Sequence, residues 1–137
     1  MMDATLTTGQ NSDEKGKKLG AFFNNEAAPP KTLSRIPKVL EALKEHTSAT
    51  EWGVVGYCWG GKIVNLSSQE GTPFKAAAAV HPAMVDPADA PKLTIPIAVL
   101  PSKDEDKDAV GKYEKELKVK HIVEWFPTQV HGWMAAR

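Results

Sequence analysis

Glu51-Trp52-Gly53-Val54-Val55-Gly56-Tyr57-Cys58-Trp59-Gly60-Gly61-Lys62 is the stretch whose reading decides the fold. Residues 51–55 read as a short buried strand, and Lys62 to Gln69 can continue as a helix, so a Gly-x-Cys-x-Gly pattern falls at the turn between them. A sharp strand-to-helix turn forces its central residue into strained backbone, and side chains at Gly56 or Gly60 are expected to clash there. Cys58 then stands at the C-terminal edge of a sheet and at the N-terminus of a helix, where the dipole and free N–H groups favour a thiolate. The opposite reading is a small buried hydrophobe beside ordinary turn glycines. The rest of the chain decides between them.

Outward from this elbow, the chain divides into a polar arm over residues 1–31 and one domain over 32–137. Leu33, Ile36, Val39, Leu40 and Leu43 recur at helical spacing, and Pro37 fits a helix that starts near Ser34 and ends near His46. Residues 74–80 form a second strand of small residues, and Thr94 to Leu100 a third that is apolar on both faces. Val110, Tyr113 and Leu117 mark a helix within the charged stretch 106–118, and 119–126 alternate as a last strand. Strands alternating with helices, and apolar on both sides, predict an α/β domain: a mainly parallel sheet of about four strands with helices on both faces.

Ligand sites in such sheets lie beyond the C-terminal strand ends. The residues expected there are Cys58, His81, the Asp104/Asp106 group and His131, each following a successive strand. Nucleophile, carboxylate and histidine in that chain order match the triads of α/β-hydrolases. Cys58 is the candidate nucleophile and His131 the candidate general base and acid. Asp104, nearest the strand end, is preferred to Asp106 as the acid that orients the imidazole. The main-chain N–H of Trp59, next to the nucleophile, is one candidate oxyanion donor. Tyr57, His81, Trp133 and Arg137 are candidates for the substrate pocket.

Seventeen basic residues balance seventeen acidic ones, which removes the electrostatic argument for nucleic acid or an anionic membrane as partner. No apolar run approaches a membrane span, the first ten residues lack the pattern of a signal peptide, and one cysteine provides no disulfide framework, so the cytoplasm is the expected compartment.

Gly-Tyr-Cys-Trp-Gly-Gly-Lys at 56–62, Ala-Val-His-Pro at 79–82, Pro-Ile-Ala-Val-Leu-Pro-Ser-Lys-Asp-Glu-Asp at 96–106 and His-Gly-Trp-Met-Ala-Ala-Arg at 131–137 together resemble the dienelactone hydrolase family, particularly its fungal members. The resemblance runs from about residue 14 to the end. It implies a partial α/β-hydrolase fold, no metal or organic cofactor, and hydrolysis of a small ester or lactone by Cys58, His131 and Asp104 through an acyl-enzyme. The family's substrate-binding arginine maps loosely on Arg137. Its early strands, the loop that gives the second oxyanion donor, and an acidic residue near the cysteine have no counterpart here. A sheet so shortened is expected to expose the edge of the elbow strand and an uncovered face, a site for self-association. The alternative function is therefore a catalytically weak or inactive homologue that serves as a scaffold or interaction module.

Overall fold

The computed structural model describes the backbone of residues 7–135 and the side chains of residues 12–135. Four parallel strands, β1 (Trp52–Tyr57), β2 (Phe74–Val80), β3 (Ile97–Leu100) and β4 (His121–Val123), lie side by side in chain order. Helices α1 (Thr7–Asn24), α2 (Pro29–Leu33) and α3 (Ile36–Lys44) precede the sheet. The helix α4 (Trp59–Ser67) joins β1 to β2, and α5 (Lys107–Glu116) joins β3 to β4. No helix among the described residues is long and apolar enough to cross a membrane.

The expected α/β class, with its parallel four-stranded sheet, is what the chain forms. The detail differs in several places. The expected polar arm is helical from Thr7, with an α1 whose side chains from Ser12 on are mostly exposed and whose Phe23 ring lies against Trp59, and the boundary between residues 31 and 32 falls inside α2, which packs on α4. The helix expected from Ser34 to His46 forms as α3, and the separate short α2 ahead of it was not expected; Pro30 and Pro37 each occupy a helix first turn, where a missing N–H costs nothing. The helices cover one face of the sheet rather than both. Strands laid down in one direction with right-handed crossovers put every connection on the same side, and covering the other side requires a reversal of strand order.

On the covered face, Ala77, Ile97 and Val99 pack with Val64 of α4, Tyr113 of α5, Leu117 just after it, and Leu93 and Ile95. Tyr113 is almost completely buried, and its hydroxyl donates to Asn65 Oδ1 at 2.6 Å, tying α5 to α4. Burial pushes the Tyr113 phenol far up, so this donor keeps its proton. On the other face, register places Val55, Ala78, Ala98 and Ile122 in one apolar row across all four strands, with Val55 57% and Ile122 62% exposed.

The elbow depends on glycine for steric reasons that distinguish its positions. A Cβ on Gly56 would lie 2.1 Å from the Gly60 carbonyl oxygen and 2.7 Å from Val64 Cγ2, and one on Gly61 would lie 2.7 Å from Pro82 Cβ. At Gly60, a Cβ meets nothing within 4 Å, so the close approaches belong to Gly56 and Gly61 rather than to Gly56 and Gly60. Gly56→Ala must therefore push α4 off β1, and it is expected to destabilise the fold by about 3 kcal/mol or more, read as a lower urea midpoint with little change in slope.

Candidate active site

Cys58 sits between β1 and α4 with φ 53° and ψ −118°, a left-handed backbone that a non-glycine residue adopts only where its surroundings enforce it. Hydrogen bonds supply that constraint. The Cys58 N–H donates to Val80 O at 3.2 Å, continuing the β1–β2 ladder past the strand end. The Cys58 carbonyl accepts from Gly61 N–H at 3.0 Å and from Ala83 N–H at 2.9 Å. The side chain is half-buried. As the first residue of α4, Trp59 has a main-chain N–H with no intrahelical acceptor, and no hydrogen bond occupies it among the described residues.

His131 follows β4 in a turn that Gly132 completes at φ 87°. Two acids hold it, in different ways. Asp104 Oδ2 accepts from the main-chain N–H of His131 at 2.8 Å, which fixes the loop. Glu105 Oε1 lies 2.6 Å from the ring Nδ1, and the other Glu105 oxygen accepts from the main-chain N–H of Ser102. The Glu105 side chain is only 4% exposed, against 37% for His131. With the carboxylate ionised, the proton of a neutral imidazole belongs on Nδ1, which leaves Nε2 as a base. The ring is therefore oriented by Glu105, where the spacing suggested Asp104. The other acid considered, Asp106, is the N-cap of α5, with Oδ1 accepting from Asp108 N–H at 2.8 Å and Ala109 N–H at 3.0 Å.

The remaining candidates fall as follows. His81, one residue past β2, is completely buried. Its ring lies 5.0 Å from that of His131, edge to face, and 5.8 Å from that of Tyr57. Trp133 stacks on Phe126 with centroids 4.5 Å apart. Arg137 lies outside the described residues. No hydrogen bond joins the Cys58 thiol to the His131 ring, and no group of three or more His, Cys, Asp or Glu side chains is placed to hold a metal, in both cases among the described residues.

Sequence reasoning missed Glu105 because the turn after β3 presents three acids in a row. Which one turns inward depends on whether its chain can fold back to an unpaired N–H three residues earlier. The one available signal was the N-cap spacing, since an acid directly before a helix is consumed by its first-turn N–H groups, and this removes Asp106.

A parallel sheet whose first strand ends in a strained cysteine at a glycine-bounded elbow, with a histidine–carboxylate pair in loops after later strands, has the architecture of an α/β-hydrolase. More narrowly, the chain belongs to the dienelactone hydrolase family, whose model matches residues 6–137. It is 33% identical over 130 residues to an uncharacterized AIM2 family protein of Schizosaccharomyces pombe, covering 90% of this chain and 52% of that one. It is 29% identical over 107 residues to the carboxymethylenebutenolidase homolog of Homo sapiens, covering 72% of this chain and 43% of that one. The chain thus spans about half the length of these curated relatives. Among solved structures, a protein assigned as a dienelactone hydrolase from Klebsiella pneumoniae superposes with a TM-score of 0.67 at 21% identity, over 75% of this chain and 50% of that one. A dienelactone hydrolase-like promiscuous phosphotriesterase from metagenomic libraries gives 0.59 at 16% identity, over 85% and 52%. These structural likenesses establish the fold.

Proposed function

We propose that this chain carries the reaction centre of a hydrolase acting on a small ester or lactone, with Cys58 as nucleophile, His131 as acid and base, and Glu105 as the acid that orients the ring. The observation that carries the reading is the strained Cys58 at the start of α4, beside the unoccupied Trp59 N–H. His131 Nε2 takes the thiol proton as Sγ attacks the acyl carbon. The Trp59 N–H donates to the oxyanion that forms. On collapse the carbon–oxygen bond breaks, and the leaving alkoxide takes the proton from His131. Water then attacks the thioester, giving one proton to His131 and hydroxyl to carbon, and the acid leaves as Sγ is restored with its proton. The thiol and imidazole are not hydrogen-bonded to each other in the structure, so the proposed reaction requires their contact to close when substrate binds. The test is hydrolysis of p-nitrophenyl acetate, lost in His131→Ala. Equal rates for this variant and the wild type would sink the reading.

Self-association through the open edge of β1 is a separate proposal, supported by the exposed Val55 on that strand and by the apolar row it begins. Sedimentation velocity should then show a concentration-dependent coefficient that Val55→Lys weakens. A coefficient that is already flat in the wild type over the micromolar range would dispose of it.

A further inference from the structure

The loop after β2 is fastened to the nucleophile more closely than a connecting loop needs to be. Val80 accepts from the Cys58 N–H and Ala83 donates to the Cys58 carbonyl, so residues 80–83 clasp the Cys58 peptide from both sides. The loop is anchored at its far end as well, where Lys62 of α4 pairs with the buried Asp89. His81 lies within the clasp at φ 36°, and its N–H donates to Leu100 O at 2.9 Å, extending the β2–β3 ladder. Its main chain is therefore locked to both neighbouring strand ends, and its side chain is completely buried.

Resting on the proposed function, we infer that His81 is a positioning residue: its ring is the fixed wall against which the His131 imidazole is set, keeping Nδ1 on Glu105 and Nε2 free to serve the thiol.

Three observations converge on this role. The 5.0 Å edge-to-face contact is direct, and the ring it touches is the half-exposed member of the pair, the one that solvent would otherwise let rotate. Glu105 restrains His131 only through Nδ1, so rotation about that single hydrogen bond needs a second contact to stop it. Among the described residues neither buried His81 ring nitrogen has a hydrogen-bond partner, so the ring acts by its shape rather than by donating or accepting. Burial, and after it the charge that His131 can carry, hold the His81 ring below the usual histidine range, so it remains a neutral surface beside the ring that takes the proton.

The experiment compares wild type with His81→Ala, His81→Phe and His81→Gln, reading the tautomer of His131 from the ring 15N shifts and the kinetics from p-nitrophenyl acetate. Alanine is expected to replace the single Nδ1–H tautomer with a mixture and to lower kcat by about 10–100-fold, with KM changed less than about twofold. Phenylalanine, which restores a ring, is expected to recover the tautomer and most of kcat, while glutamine, which restores polarity but no ring, is not. A wild-type tautomer with kcat within about twofold in His81→Ala, or a phenylalanine variant as impaired as the glutamine one, would overturn the inference. If alanine fails to fold, the phenylalanine–glutamine pair decides by the same criteria. Should the wild type hydrolyse no ester, the reaction proposed above fails, while the tautomer comparison still reads His81.

Discussion

Cys58→Ala is expected to lower the kcat for p-nitrophenyl acetate by about 10³-fold or more, leaving a chain that melts like the wild type. The size of the effect follows from the covalent route. Without sulfur there is no acyl-enzyme, and what remains is water attacking an ester held near one oxyanion donor. The stability side follows from the structure, since the half-buried thiol makes no hydrogen bond among the described residues and the strained backbone at Cys58 is held by main-chain contacts that alanine keeps. Acid quenching during turnover, followed by mass analysis, should find an acetyl group on the peptide containing Cys58 in the wild type. A full rate in Cys58→Ala, or acetyl confined to lysines, would remove the nucleophile from the proposal.

The second large effect separates two adjacent acids. Glu105→Gln keeps the size of the side chain but removes the charge that faces Nδ1, and it puts an amide where two donors, the His131 ring and the Ser102 N–H, now converge on one carboxylate. One of those donors must then meet an NH2 group or lose its partner. The neutral imidazole loses its reason to keep the proton on Nδ1, and the imidazolium formed during attack loses its counter-charge. A fall in kcat of about 10²–10⁴-fold is expected, the scale seen when a triad acid is made neutral. Asp104→Asn is milder, because the amide oxygen can still accept from the His131 main-chain N–H, and a loss of about tenfold or less is expected. The comparison is made on kcat with folding checked by circular dichroism. If Asp104→Asn proves the more damaging change, the ring is served by Asp104 during turnover and the assignment of Glu105 is wrong.

Much of the fold was legible because its signals are local. The strand at 74–80 has the bounds read from its run of small residues, and the helix within 106–118 forms as Val110, Tyr113 and Leu117 implied. Cys58 was legible because a glycine-bounded turn after an apolar strand has few structural solutions. The third strand was less so. It begins at Ile97 rather than Thr94, since Pro96 has no N–H to give a ladder. The polar helix α1 was missed because its sequence has almost no apolar stripe, and its described side chains show why: from Ser12 to Asn24 all but Phe23 are exposed.

The sequence by itself determined the order of strands and helices, the glycine-bounded cysteine, and the placing of a histidine and several acids at successive strand ends, all through short-range sterics and hydrophobic spacing. Only the tertiary structure decided which of three consecutive carboxylates meets the His131 ring, that His81 stands buried against it, and that one sheet face lies open. These depend on which side chain reaches across from one loop to another and on which side the crossovers fall. Those are distances through space between residues far apart in the chain, and no local spacing encodes them.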